Sequence, residues 1–131
     1  MKSHDSCAVR LAQLFELSTL SKGLVDLSDD PPYLEVGPYQ HNKYLLEPHK
    51  SYVAECVPLT TDGKGFLDIK ARYSLLERGI TCLPFIKAKK AVLNGQYSIE
   101  IGCLLTNNLD RPFTMPLHAV LCDAVIYYSL E

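Results

Sequence analysis

Arg72, Tyr73, Ser74 and Arg78 fall within one short stretch, and Lys87, Lys89 and Lys90 follow close behind. Charged and hydroxyl side chains packed this closely belong to a working active site, to the remnant of one, or to an ordinary turn. The lysine group reads either as a solvated loop or, more sharply, as a site for an anion or an acidic partner. Glu100 and Asp123 sit in apolar alternating runs. A carboxylate there is either a buried general base or the solvent face of an edge strand. Nucleophilic catalysis needs Ser or Cys held by a base, and the chain has no GxSxG elbow. GxxxxGK[ST] and GxGxxG phosphate cradles are also missing. His4, His41, His49 and His118 show no metal-ligand spacing with one another or with Cys7, Cys56, Cys82, Cys103 and Cys122, so neither metal nor cofactor is expected.

The elements that must carry these groups are mostly strands. Short apolar or alternating runs recur from Tyr44 onward: YLLEP, SYVAECVPL, GFLDIKARY, ITCLPFI, QYSIEIGCLL, FTMPL and HAVLCDAVIYYSL. Turn signals separate them, a spacing that predicts a β-sandwich or barrel. In the clearest strand Tyr97, Ile99, Ile101, Cys103 and Leu105 share one face, opposite Ser98, Glu100 and Gly102. Asp62-Gly63, Asn94-Gly95 and Asn107-Asn108 are predicted hairpin turns, because these residues tolerate positive φ. Ala8, Leu11, Ala12 and Phe15, with Leu14 beside them, recur at helical spacing, and Gly23 offers a stop. One N-terminal helix over residues 1–23 is therefore predicted. Pro31, Pro32, Gly37 and Pro38 break the next segment, leaving at most a short strand around Tyr33 to Val36.

The 131 residues suit one domain, and 47% hydrophobic with 21% charged residues suits a folded core rather than disorder. A net charge of −2 with interspersed signs gives no broad basic surface for duplex nucleic acid. The five cysteines are widely spaced and mostly set in apolar runs, which predicts reduced core thiols. No signal peptide and no bilayer-spanning run is present, so an intracellular, cytoplasmic protein with no membrane partner is expected.

LEPHKSYVAECVPLTTDGKGFLDIKARYSLLERGI, residues 46–80, resembles the segment of the dUTPase and dCTP deaminase superfamily that leads into the phosphate-binding motif G-[RK]-S-S-L-x-R-x-G. Residues 106–130, TNNLDRPFTMPLHAVLCDAVIYYSL, resemble the closing strands of that superfamily, and Pro31 to Val36 is faintly like the deaminase P-S-S-x-D-V. The resemblance covers 46–130 and implies a mainly β, distorted jelly-roll with the N-terminal helix before it, assembled as a homotrimer.

The reactive groups of that family are largely replaced. Ala71 stands for the first motif glycine, Tyr73 for the first serine and Glu77 for the later arginine, with Arg78 one residue off; Arg72 and Ser74 match. Lys90 stands where the water-activating Asp is implied, Leu93 at the sugar-stacking aromatic, and Cys122-Asp123 at the closing G-Q. A lysine cannot serve as that base at neutral pH without a large pKa depression. Glu100 follows Gly95 at the deaminase spacing, making it the one weak catalytic candidate.

The reading is of a non-catalytic member, a pseudoenzyme acting on an unidentified protein partner. A virus- or phage-encoded regulator directed at a host factor would suit it. Arg72, Tyr73, Ser74, Arg78, Lys87, Lys89 and Lys90 are its candidate phosphate- or partner-binding residues. The alternatives are an active dCTP deaminase or dUTP diphosphatase with a rearranged site using Glu100 and Arg78, or a protein that binds a nucleotide without turnover.

Overall fold

The protein is described by a computed structural model covering residues 4–17 and 33–128. Its first element is a strand, β1 (His4–Leu17). The helix predicted over 1–23 is thus corrected wherever it can be compared, the rest of that span lying outside the described residues. After it come β2 (Tyr33–Glu35), β3 (Lys43–Leu46), β4 (Ser51–Cys56), β5 (Leu59–Thr61) and β6 (Phe66–Ala71). A short helix, α1 (Tyr73–Glu77), precedes β7 (Ile80–Ala91), β8 (Tyr97–Asn107), β9 (Phe113–Pro116) and β10 (Val120–Tyr127).

The architecture is mainly β, a curled half-barrel of the jelly-roll-like kind the sequence predicts. All strand pairs are antiparallel. β1 pairs with β10 over His4–Arg10 and with β4 over Leu11–Glu16. One strand therefore serves two halves of the sheet: β6, β10 and β1 on one side, then β1, β4, β8 and β7 on the other. β3 and β9 form a separate ribbon.

The helical spacing in β1 has a physical source in a bulge. Leu11 faces Cys56 while Gln13 faces Glu55, so Ala12 is an extra residue. An inserted residue reverses the alternation of side chains. Val9, Leu11 and Leu14 all reach the core as a result, at intervals of two and then three. A second bulge does the same in β10, where Leu121 is the extra residue between Cys122 and Val120, and Leu121 and Cys122 are both buried.

The inner faces supply Tyr52, Ala54 and Cys56 from β4 and Ile99, Ile101, Cys103 and Leu105 from β8. The period-two face predicted for β8 is thereby the core face, apart from half-buried Tyr97. Four buried thiols, Cys56, Cys82, Cys103 and Cys122, share this core, with the Cys56 and Cys103 sulfurs 3.9 Å apart. Neighbouring thiols, Cys122 foremost, together with burial hold the Cys103 thiol protonated by pushing its pKa up. Cys7 is exposed, the exception to the expectation of core thiols.

Asn94 and Gly95 both have positive φ and turn β7 into β8, as predicted. Asn107-Asn108 is not a hairpin turn. Asn107 ends β8 fully buried, and its Nδ2 donates to the Leu46 and Arg111 carbonyls while its Oδ1 accepts from the Leu109 N–H. The Asn107 N–H donates to the Lys50 carbonyl and its own carbonyl accepts from the His49 N–H. This one residue fastens β8 to the β3–β4 turn and to the loop before β9. Replacing Asn107 by Leu leaves one buried and two part-buried backbone groups without their partner, the buried one at ~1 kcal/mol or more. A loss of about 2 kcal/mol in urea-denaturation stability is expected, with the midpoint shift as the measurement.

Candidate functional site

The strand β6 delivers the motif residues to the edge of the sheet, where α1 turns the chain toward β7. Arg72 sits just ahead of α1 in extended conformation, and its N–H donates to the Leu121 carbonyl on β10. Its guanidinium crosses to Asp123: Nη2 donates to Oδ1 at 2.9 Å, and Nε lies 2.8 Å from Oδ2. The Nε contact is close but poorly aligned for a hydrogen bond, so the Nη2 bond is the directional part of this ion pair. Two sequence candidates thus neutralise one another. Register explains it, because Cys122 faces Ala71, which leaves Arg72 and Asp123 as diagonal neighbours.

Helix α1 buries only Leu75. Tyr73 is 72% exposed and Leu76 60% exposed. Ser74 is exposed too, and its carbonyl accepts from Arg78 Nη1 at 2.9 Å. The helix ends at Gly79, whose φ of +82° gives the left-handed stop and whose missing Cβ leaves room for Leu109. Arg78, Arg111, Leu76 and Phe113 line one shallow cleft beside it.

The lysines lie within β7, which continues past ITCLPFI, so the solvated loop is corrected to a strand. The apolar run alone could not show this, since the pairing with Tyr97–Glu100 sustains the strand. An extra residue at Lys87 and the alternation beyond it divide the group between two faces. Lys87 bonds Glu55 on β4 at 3.0 Å, Lys90 bonds Glu100 at 3.0 Å, and Lys89 stands over the Tyr97 ring at 4.5 Å.

Glu100 is separated from the arginines. It faces Ala88, while the chain leaves α1 at Ile80. Seven residue steps of β8, from Asn107 opposite Ile80 to Glu100, at ~3.3 Å each place Glu100 roughly 23 Å along the hairpin from that point. Within one chain Glu100 and Arg78 line different clefts. Among the described residues no group of three or more His, Cys, Asp or Glu side chains is disposed around a metal position. No described helix is long and apolar enough to cross a membrane.

No protein-family model matches the chain, and no curated protein matches it. The likeness to the dUTPase and dCTP deaminase superfamily stands on the motif residues alone.

Sequence reasoning missed α1, because five residues without a side-chain cap carry almost no periodic signal. Gly79, standing after Leu75 and Leu76, was the trace of it. Missed as well was an outward-facing row of apolar residues that includes Leu83 and Leu104. Its signal was the break in alternation at Leu104, after Ser98, Glu100 and Gly102.

The Arg72–Asp123 pair is partly exposed, at 41% and 34% for the two side chains, so its worth is that of a screened pair. Asp123→Ala should cost about 1 kcal/mol. A double-mutant cycle with Arg72→Ala, read by urea denaturation, should return most of that cost as coupling.

Proposed function

We propose that this chain is a non-catalytic interaction module of dUTPase-like build, acting on a protein partner through the surface of α1. The observation that carries the reading is the outward display of Tyr73 and Leu76 on a helix that buries a single residue. Tyrosine and arginine dominate the energetic centres of protein interfaces, since one offers large rigid area and the other a planar fork of donors. Arg78 and Arg111 share a cleft with Leu76, which favours a partner segment combining an apolar anchor with a carboxylate. A regulator directed at a host factor would engage that factor here.

Two further features support the absence of turnover. Arg72 is held by Asp123 rather than directed at a phosphate, and Glu100 is engaged by Lys90 far from Arg78. Electrostatic catalysis requires charges aimed at the reacting atoms, and these are spent within the chain.

A second reading keeps nucleotide binding without turnover, favoured by Arg78 and Arg111 sharing a cleft with Phe113. Thermal denaturation with dUTP, dCTP and magnesium separates the two, because a ligand held only by the folded state raises its apparent stability. The interaction reading expects no shift and neither pyrophosphate nor ammonia release. Capture from a host lysate should lose its specific protein when Tyr73 and Leu76 are both changed to Ser, with affinity falling roughly 30-fold or more. Turnover of either nucleotide, or capture indifferent to that double change, would reject the module.

A further inference from the structure

The thiols of the core are not equivalent. Cys103 is fully buried and faces Ala54 on β4. Cys56 lies two residues beyond Ala54 on the same side of that strand, so it is the diagonal neighbour of Cys103, and the two sulfurs are 3.9 Å apart. A disulfide needs ~2.05 Å, which leaves each sulfur about 1 Å to travel. Cys82 is turned toward β10 instead, where its thiol donates to the Leu121 carbonyl at 3.8 Å.

The sheet is broken beside this pair. β8 is hydrogen-bonded to β4 over Gly102–Thr106 and to β5 over Tyr97–Ile99, which leaves Glu100 and Ile101 without a neighbour on that edge. β4 ends at Cys56, and the extra residue Ala12 of β1 lies alongside. Ala12, Cys56, Pro58 and Ile101 border a cleft of about 330 Å³ at the break. Cys56 keeps 6% exposure there, while Cys103 keeps none. The outer side of β8 next to Cys103 is closed, because Phe85 lies over Gly102, where a Cβ would meet the ring at 2.5 Å. A small oxidant therefore reaches the pair through Cys56.

We infer that Cys56 and Cys103 form a reversible disulfide driven by hydrogen peroxide, with Cys56 as the thiol that meets the oxidant and Cys103 as the one that resolves it. The Cys56 thiolate attacks a peroxide oxygen, the O–O bond breaks, and the departing hydroxide takes up the proton that Cys56 gave up, leaving as water. Cys56 is then a sulfenic acid. The Cys103 sulfur attacks the Cys56 sulfur, the S–O bond breaks, and the hydroxide leaves as water with the Cys103 proton. Two thiols have lost two electrons, and one peroxide has become two waters. Cys103 does not start the reaction, since its neighbours and its burial hold it protonated. Diagonal neighbours stand ~7–8 Å apart at Cα against ~5.5–6 Å in a relaxed disulfide, so closure draws in the end of β4, where its pairing with β8 has already stopped. A bridge strained in this way is readily reduced, which makes it a switch rather than a staple.

The inference does not depend on what α1 binds, and its test reads covalent mass. In the full chain carrying Cys7→Ser, which removes the exposed thiol, a modest excess of hydrogen peroxide should give a product lighter by two hydrogens. Digestion without reductant should then join the peptides that hold Cys56 and Cys103, and dithiothreitol should restore the starting mass. Cys56→Ser in that background should lose the product. Cys103→Ala should stop at a Cys56 sulfenic acid that dimedone traps, whereas Cys82→Ala should still form the bridge. The digest of the Cys7→Ser chain decides the matter by itself, so a core variant that fails to fold does not obscure the outcome. A chain with unchanged circular dichroism that keeps all its core thiols overturns the inference. So does a bridge that joins any other pair, or one that forms only in urea.

Discussion

Strand β1 is hydrogen-bonded to β10 along its first half and to β4 along its second, and the rest of the sheet inherits its geometry from that exchange. The change of partner is fixed by backbone bonds at the crossing, where the Leu11 N–H donates to the Ala119 carbonyl and the Val57 N–H to the Arg10 carbonyl. Without it, β10 and β6 would have no path to β4 and β8. The two bulges are what let one strand face a single core from both halves, because each reverses the side-chain alternation where the sheet bends. Val9 and Leu11 lie before the reversal and Leu14 after it, yet all three are fully buried.

This explains which parts of the fold could be read in advance. Strands β3, β4, β6, β8, β9 and β10 follow plain alternation or short apolar runs bounded by turn residues, and those rules carry over directly from chain to sheet. β1 could not be read the same way, since intervals of two and then three imitate part of a helical repeat. Asn107 misled for a related reason. The amide that tolerates positive φ in a turn is also the side chain best able to satisfy several buried backbone groups at once, and here tertiary contacts chose the second use.

Candidate residues were legible as types but not as an arrangement. Charges spaced along one strand share a side only if the pairing is regular, and the extra residue at Lys87 sends Lys89 toward Tyr97 and Lys90 toward Glu100. Arg72 found Asp123 through a register between β6 and β10 that no local pattern encodes. Because cross-strand neighbours stand tens of residues apart in the chain, a motif can survive in order while its members are drawn into unrelated pairs.

The ring of Phe85 roofing the bare backbone at Gly102 has an evolutionary corollary. A methyl group introduced at 102 would displace the roof, so the ring must swing outward or 85 must shrink in the same lineage, and the two codons should drift as a linked couple. Since both lie on the outer side of the sheet, such a joint change could resculpt the exterior while the interior beneath was inherited unaltered.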